Sequence, residues 1–395
     1  MFQRLKRFVW MNSRKSLSWK WIILCTIIAW VLRYVIVVVY CFFLHNLFFR
    51  FTSCPTEHYW PKNFSDIESI DYSAEPTSCD SLDITDRWTL QIVVFVPVHI
   101  SRFERRDTIR ETWAQQFVDG RSIDNKRLLT KFIFVIGSPL SISSGSNRES
   151  KEAIEQKVRE ESFKYHDILQ LSNVEDAYYN ITLKIRSVLT WTQKKCPQAS
   201  YIVRADSDVV LDYSNLLRFL FQLKGGHATG ANDELIAGYC RAYDCVTRWP
   251  TSKTCLPQAV YQSLRRSDHE NACFIPRYCF GFSYVLSMKF VEKALKIWSQ
   301  DTDALLNLQI SFETRDILFR YWPLDDVFVT GFIAEALNNR IPRYNHPRAF
   351  TYQTKFDTLS CHENGAVASG AYEDDEEMRR RWASRRDYCQ ISPIY

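Results

Sequence analysis

The chain has 395 residues, 46% of them apolar and 15% aromatic, which is enough for a sizeable packed core and too much for a disordered chain. Its formal net charge is +5, but the first 49 residues hold seven Lys/Arg and no Asp or Glu, leaving 43 basic against 45 acidic side chains in the remainder. That balance excludes a nucleic-acid binder working through a basic surplus.

The first predicted element is the apolar run 21–49. A bilayer core takes about 20 such residues as helix. A signal-peptide apolar region is about 7–15 residues and ends at small residues, whereas this run is longer and ends in Phe48-Phe49-Arg50-Phe51. Six basic residues precede it: Arg4, Lys6, Arg7, Arg14, Lys15 and Lys20. The positive-inside rule then puts residues 1–20 in the cytosol and everything after Phe49 on the far side. Arg33 interrupts the run at a cost of roughly 2.5–3.5 kcal/mol, which its aliphatic neighbours offset and snorkelling relieves. Residues 50–87 are punctuated by Pro and Ser and read as a luminal stem, with a catalytic domain over 88–395.

From residue 90 the texture is that of a folded domain. The continuous apolar run 92–96 predicts a strand buried on both faces. A charged helix over 107–117 follows, then a strand over 131–136 stopped by Gly137, an exposed Ser/Gly loop over 138–146 and a helix over 150–161. Next come a short strand over 167–170, a helix over 181–195 and a strand over 201–203. Strands alternating with helices argue for an α/β fold with a central, mostly parallel sheet, whose ligands bind beyond the carboxyl ends of the strands. Later helices are predicted over 289–298 and 326–337. The acidic run 373–377 followed by Arg379–Arg381 reads as an exposed helix with i,i+4 ion pairs.

Ten cysteines lie beyond the apolar run, five of them between Cys240 and Cys279, and an oxidising lumen makes disulfides the expectation. No C-x₂-C pair favours zinc, and the pairing is not readable from sequence. Asn63-Phe64-Ser65 and Asn180-Ile181-Thr182 are N-glycan acceptors on this reading.

Three segments carry chemistry. Asp206-Ser207-Asp208, just past a buried strand, is either an ordinary turn or a pair of carboxylates suited to a hard divalent cation. Asp325-Asp326 opens an amphipathic helix, as an N-cap or as a general base at a site mouth. Arg105, Arg106 and Arg110 in the segment 103–113 form either a solvated charged face or a phosphate-binding cluster at a helix N-terminus.

Taken together, these segments resemble the β-1,3-glycosyltransferases, a family that includes β-1,3-galactosyltransferases, β-1,3-N-acetylglucosaminyltransferases and, more distantly, fringe. The resemblance is carried by Arg105-Arg106-Asp107-Thr108-Ile109-Arg110-Glu111-Thr112-Trp113, by the segment from Asp176 to Lys184, and by Arg204-Ala205-Asp206-Ser207-Asp208-Val209. It continues in the segments 276–287 and 324–331, in family order. It implies a GT-A-like nucleotide-sugar-binding domain behind a type II Golgi membrane anchor, a UDP-sugar donor, Mn²⁺, inversion, and an acceptor glycan on a glycoprotein or glycolipid. By the same resemblance Asp206 faces the donor, Asp208 ligates the metal, and Arg105, Arg106 and Arg110 shape the donor pocket. Asp326 is the base, and His362 is a further metal ligand with His346 as its alternative. The chain departs from the family at Ser207 and Arg204, where Asp and Lys are usual, and at Ser283 in place of Gly. These departures motivate the alternative of a luminal glycan-binding or scaffold protein that has kept the fold and lost catalysis.

Overall fold

The computed structural model describes residues 2–51, 70–79, 88–119, 122–123, 125–139, 151–226, 234–241, 276–300, 324–337, 341–352, 366–372 and 374–391. Helix α1 (Phe2–Phe51) contains the one stretch among the described residues that is long and apolar enough to cross a membrane, Trp21–Leu44, with a mean hydropathy of 2.7.

Past α1 the chain runs through β1 (Tyr72–Ala74), β2 (Thr89–Pro97), α2 (Phe103–Glu111), α3 (Ala114–Asp119), β3 (Arg127–Ser138), α4 (Lys151–Tyr165) and β4 (Ile168–Glu175). A 3-10 turn (Tyr178–Asn180) leads into α5 (Ile181–Lys195), β5 (Tyr201–Ala205), β6 (Val210–Leu211), α6 (Tyr213–Gly226), β7 (Ile236–Arg241), β8 (Tyr278–Ser287) and α7 (Met288–Gln300). The last elements are a π-wound helix α8 (Val327–Ile333), a short α9 (Ala334–Ala336), β9 (Arg343–Asn345), β10 (Phe350–Thr351), β11 (Ala368–Ser369) and α10 (Asp375–Ile391).

Among the described residues, eight strands form the main sheet in the order β1-β4-β3-β2-β5-β8-β7-β9. Strands β4, β3, β2 and β5 are mutually parallel, and the first of them in sequence sits inside the group. This is the doubly wound order, with its topological switch between β2 and β5. Strand β8 then runs antiparallel to both β5 and β7. The sheet is therefore mixed, and the expected parallel portion is only its β4-β3-β2-β5 half. A small second sheet, β10-β11-β6, closes one end.

The apolar texture of β2 has a direct cause. Val93 and Phe95 enter one core with Trp191, Trp298 and Phe328, while Ile92, Val94 and Val96 enter the other with Ile109, Trp113 and Leu216. Helices cover both faces, so every position of the strand after Thr89 is buried, and each large apolar side chain there contributes on the order of 1.5–3 kcal/mol on burial.

Three expectations are corrected. The helix over 107–117 is two helices, broken at Thr112-Trp113 so that Trp113 drops into the core beside Phe117 and Phe132. Gly137 does not stop its strand. A Cβ there would lie 2.6 Å from the Val174 carbonyl oxygen, so glycine serves the close approach of β4. Within the stem 50–87, the described residues 70–79 are folded. Strand β1 pairs with β4, Glu75 accepts from the Trp191 indole at 3.1 Å, and Cys79 is bonded to Cys196. Residues 70–79 are therefore packed onto the sheet and α5. Helix α10 has the expected Glu377–Arg381 ion pair, but it is not exposed all round. Met378 is buried, and Arg379 pairs with Glu104 and Glu111 on α2.

Within the cysteine-rich region, Cys240 is bonded to Cys279 across β7 and β8. Cys25 and Cys41 in α1 are free. Cys54, Cys245, Cys255, Cys273 and Cys361 lie outside the described residues.

Candidate active site

The carboxyl ends of β2 and β5 open onto a cleft of about 910 Å³. Its floor is Pro97-Val98-His99 after β2, and one wall is Asp206-Ser207-Asp208 after β5. The antiparallel course of β8 brings Phe280, Gly281 and Phe282 to the same edge, and the segment 324–326 ahead of α8 completes the rim.

Asp206 donates its N–H to the Phe282 carbonyl at 2.9 Å and accepts at its own carbonyl from Val209 at 3.1 Å. The turn reading and the site reading of this segment are thus one geometry: the turn aims both carboxylates at the cleft. Tyr352 donates its hydroxyl to Asp208 Oδ2 at 3.0 Å and packs on Phe282 at 5.3 Å between ring centroids. Asp326 likewise serves two purposes. Its Oδ1 accepts from the Val327 N–H at 2.8 Å as a helix cap, and its Oδ2 accepts from the Gly281 N–H at 2.9 Å at the cleft rim.

Arg204 joins these groups from beneath. It is 2% exposed, with Nη2 2.9 Å from Asp206 Oδ1 and 3.2 Å from Asp325 Oδ1. Its Nε lies 2.9 Å from Asp325 Oδ2, close as a charge pair though poorly aligned as a hydrogen bond. Tyr284 donates its hydroxyl to Asp325 Oδ2 at 3.2 Å.

Four carboxylates around one guanidinium leave the cluster negative. Burial, reinforced by Asp325, pushes Asp326 up to about 6 against the opposing pull of Arg204. Burial also raises Asp206, to about 7, with Asp208, Asp325 and Asp326 adding to the effect. A third of the Asp206 side chain is open to the cleft, yet the protein around it is dense enough for desolvation to dominate. Burial alone would lower Arg204, but Asp206 and Asp325 hold it well above its ordinary value. Such a site suits a cation.

The structure brings Asp206, Asp208, Asp326 and Arg105 to the cleft. It does not bring Arg106 and Arg110 there. Arg106 makes a forked pair with Glu161 at 2.8 and 2.6 Å and donates to the His99 and Ile100 carbonyls. Arg110 is held by Asp167 and Glu161 and lies over the Tyr165 ring. Both hold α2 onto α4 and the sheet and make structural ion pairs away from the cleft. Asn180 donates its Nδ2 to the Glu175 carbonyl at 2.9 Å and Thr182 is buried, in the turn into α5. Asn63 and His362 lie outside the described residues. His346 packs against Phe219 at 5.0 Å and does not line the cleft.

Among the described residues no cluster of three or more His, Cys, Asp or Glu is placed to hold a metal. The donors present are the two half-exposed carboxylates Asp206 and Asp208. That set fits a hard cation which takes one or two carboxylates and completes its shell with substrate phosphates and water.

Sequence reasoning missed the role of Arg204, treating it only as a departure, and missed Tyr284 and Tyr352. It also missed the job of the segment 176–184. There Asp176 pairs with Lys184 at 2.5 Å and accepts from Ile100 and Gly137, tying the ends of β2 and β3 together under the cleft. The Asp and Lys eight residues apart were the visible signal.

A family model described as galactosyltransferase matches residues 104–308, a little over half of the chain. The chain belongs to the galactosyltransferase family. It is 31% identical over 254 residues to the human UDP-GlcNAc:betaGal beta-1,3-N-acetylglucosaminyltransferase 9, covering 63% of this chain and 52% of that enzyme. It is 26% identical over 278 residues to the gorilla beta-1,3-galactosyltransferase 5, covering 69% of this chain and 76% of that one. It thus spans about half the length of the first relative and three quarters of the second. Among solved structures, the galactosyltransferase LgtC, in complex with donor and acceptor sugar analogs, is a slight match. It covers 77% of this chain and 97% of that one at 9% identity and a TM-score of 0.32.

Proposed function

We propose that this chain is a type II Golgi membrane enzyme that transfers galactose or an N-acetylhexosamine from a UDP-sugar to a glycan hydroxyl, forming a β-1,3 linkage with inversion. The observation that carries the reading is the convergence of Asp206, Asp208 and Asp326, from segments far apart in the chain, on one cleft at the switch point of a doubly wound sheet. Family membership supports the reaction class, and the basic flank ahead of the Trp21–Leu44 span supports the topology.

In this reading Asp326 accepts the proton of the acceptor hydroxyl, whose oxygen attacks the anomeric carbon from the face opposite UDP. The bond from that carbon to the diphosphate breaks, and its electron pair leaves with UDP. A single positioned base suffices for direct inversion. Asp206 orients the donor. Arg105, fixed by the Tyr372 carbonyl at 2.8 Å and by Asp375, contributes positive charge at the cleft wall. Asp208 would hold Mn²⁺, which when bound supplies charge neutralisation on the departing diphosphate.

The test is UDP release by the full chain in detergent across a panel of UDP-sugars and glycan acceptors, with Mn²⁺ and with EDTA. Metal-dependent release with one sugar, lost in both Asp208→Ala and Asp326→Asn, is the expected outcome. Metal-dependent UDP binding without turnover for any donor and acceptor pair would instead favour the glycan-binding scaffold.

A further inference from the structure

The span Trp21–Leu44 has two chemically different sides. At 100° per residue, Thr26, Trp30, Arg33, Tyr34, Tyr40 and Cys41 fall within an arc of about 120°. Apart from Trp21 and Cys25, every other position in the span is Ile, Leu, Val, Ala or Phe. The polar and amphipathic side chains are thus gathered on one stripe, interleaved there with Ile22, Ile23, Val37 and Leu44, and the rest of the circumference is almost wholly apolar.

Arg33 lies on that stripe, about 40° from its midline, and at the middle of the span in depth, 12 residues after Trp21 and 11 before Leu44. At 1.5 Å per residue it is about 17 Å from either end, and an arginine side chain reaches roughly a third of that. Snorkelling alone therefore leaves its charge in hydrocarbon. No Asp or Glu occurs in the first 49 residues, so neither this helix nor a second copy of it can supply a counter-charge. Ionisable groups at this depth face a partner helix or a polar cavity, and aromatic and hydroxyl side chains beside them add interhelical contacts.

We propose that the stripe around Arg33 is a docking face for a second transmembrane helix that carries an Asp or Glu at mid-membrane depth. The inference rests on the membrane-anchor reading above. The partner's carboxylate pairs with the Arg33 guanidinium away from water, and Tyr34 and Trp30 shield the pair from lipid. A second copy of this chain is disfavoured because it would bring two Arg33 charges together. The face would place the enzyme beside a membrane protein chosen by charge within the bilayer and not by contacts of its luminal domain.

The test uses the full chain in lipid vesicles with a probe: a parallel single-pass poly-Leu helix bearing one central Asp, compared with the same helix bearing Leu. Energy transfer between labelled chain and probe reads association. The Asp probe should bind roughly five- to thirty-fold more tightly than the Leu probe, and Arg33→Leu should abolish the difference while Arg33→Lys retains it. The free thiols give the face. Cys41 and Cys25 each lie eight residues and about 80° from Arg33, on opposite sides of it, but Cys41 is about 40° and Cys25 about 120° from the midline of the stripe, so with the stripe facing the probe a cysteine eight residues after the Asp should oxidise onto Cys41, whereas one eight residues before it should not reach Cys25. Equal binding of the two probes, an unchanged Arg33→Leu result, or self-association of the chain that persists in Arg33→Leu would overturn the proposal. Alkaline carbonate extraction of wild type and Arg33→Leu separates this from failure of the anchor: a chain that washes off the vesicles refutes the anchor itself.

Discussion

Replacing Arg204 by Met is the sharpest probe of the cleft. The guanidinium is buried and shared between Asp206 and Asp325, and Asp325 is only 3% exposed. Methionine fills much of the volume but strands the Asp325 carboxylate with the Tyr284 hydroxyl as its remaining side-chain donor. Breaking one partner out of a buried ion pair costs about 3–5 kcal/mol. The loss depends on pH with a definite sign. Burial already raises Asp325 above its ordinary value while Arg204 pulls it down, so removing Arg204 raises it further. A carboxylate raised in the folded state contributes most below its unfolded value and loses that contribution as pH rises through the folded one. The variant should therefore be destabilised most at pH 8 and recover part of its stability at pH 5, where Asp325 can hold a proton. Arg204→Lys keeps the charge but not the forked geometry and should fall between. Denaturant unfolding of the three proteins at both pH values measures this. A loss below about 1 kcal/mol at pH 8, or the same loss at pH 5 and pH 8, would refute the view that Arg204 holds these carboxylates together.

Other consequences are independent of Arg204. Asp326→Asn should lower kcat by about 10²–10⁴-fold with little change in KM for the donor, as loss of a positioned base does. In the wild type the rate should fall as pH drops through about 6, because a protonated Asp326 cannot accept the acceptor's proton, and that limb should be missing from the residual activity of the variant. Lys184→Met should cost on the order of 3–5 kcal/mol in unfolding free energy by stranding the buried Asp176, which ties β2 to β3. Cys196→Ser should remove the cross-link to Cys79, a sequence separation of 117, at about 2–5 kcal/mol in denaturant unfolding; full stability in the variant would show that β1 holds its place without it.

The limits of sequence reading are clearest in α2. Arg105, Arg106 and Arg110 share one motif, yet only Arg105 reaches the cleft. Adjacent residues on a helix diverge by about 100°, so periodicity sets Arg105 and Arg106 on different faces of α2. Which of the two faced inward is not set by periodicity. It depends on Glu161 and Asp167, brought in by α4 and the start of β4, and no local pattern announces that pairing. The strands were legible because burial on both faces leaves an unbroken apolar run, as in β2. Strand β1 was not, because three residues on a sheet edge carry no such run and are held by contacts to β4 and α5. The same division applies to the acids. Asp206 and Asp208 were readable from their place after a buried strand, but the depth to which Arg204 binds Asp206 to Asp325 follows only from β8 and α8 closing over it. The substitution of Arg at this position can then be understood physically. A guanidinium spans two carboxylates with a planar fork where an ammonium serves as a point charge, so Arg204 locks Asp206 to Asp325 beside Ser207, while Asp208 is held separately by the Tyr352 hydroxyl.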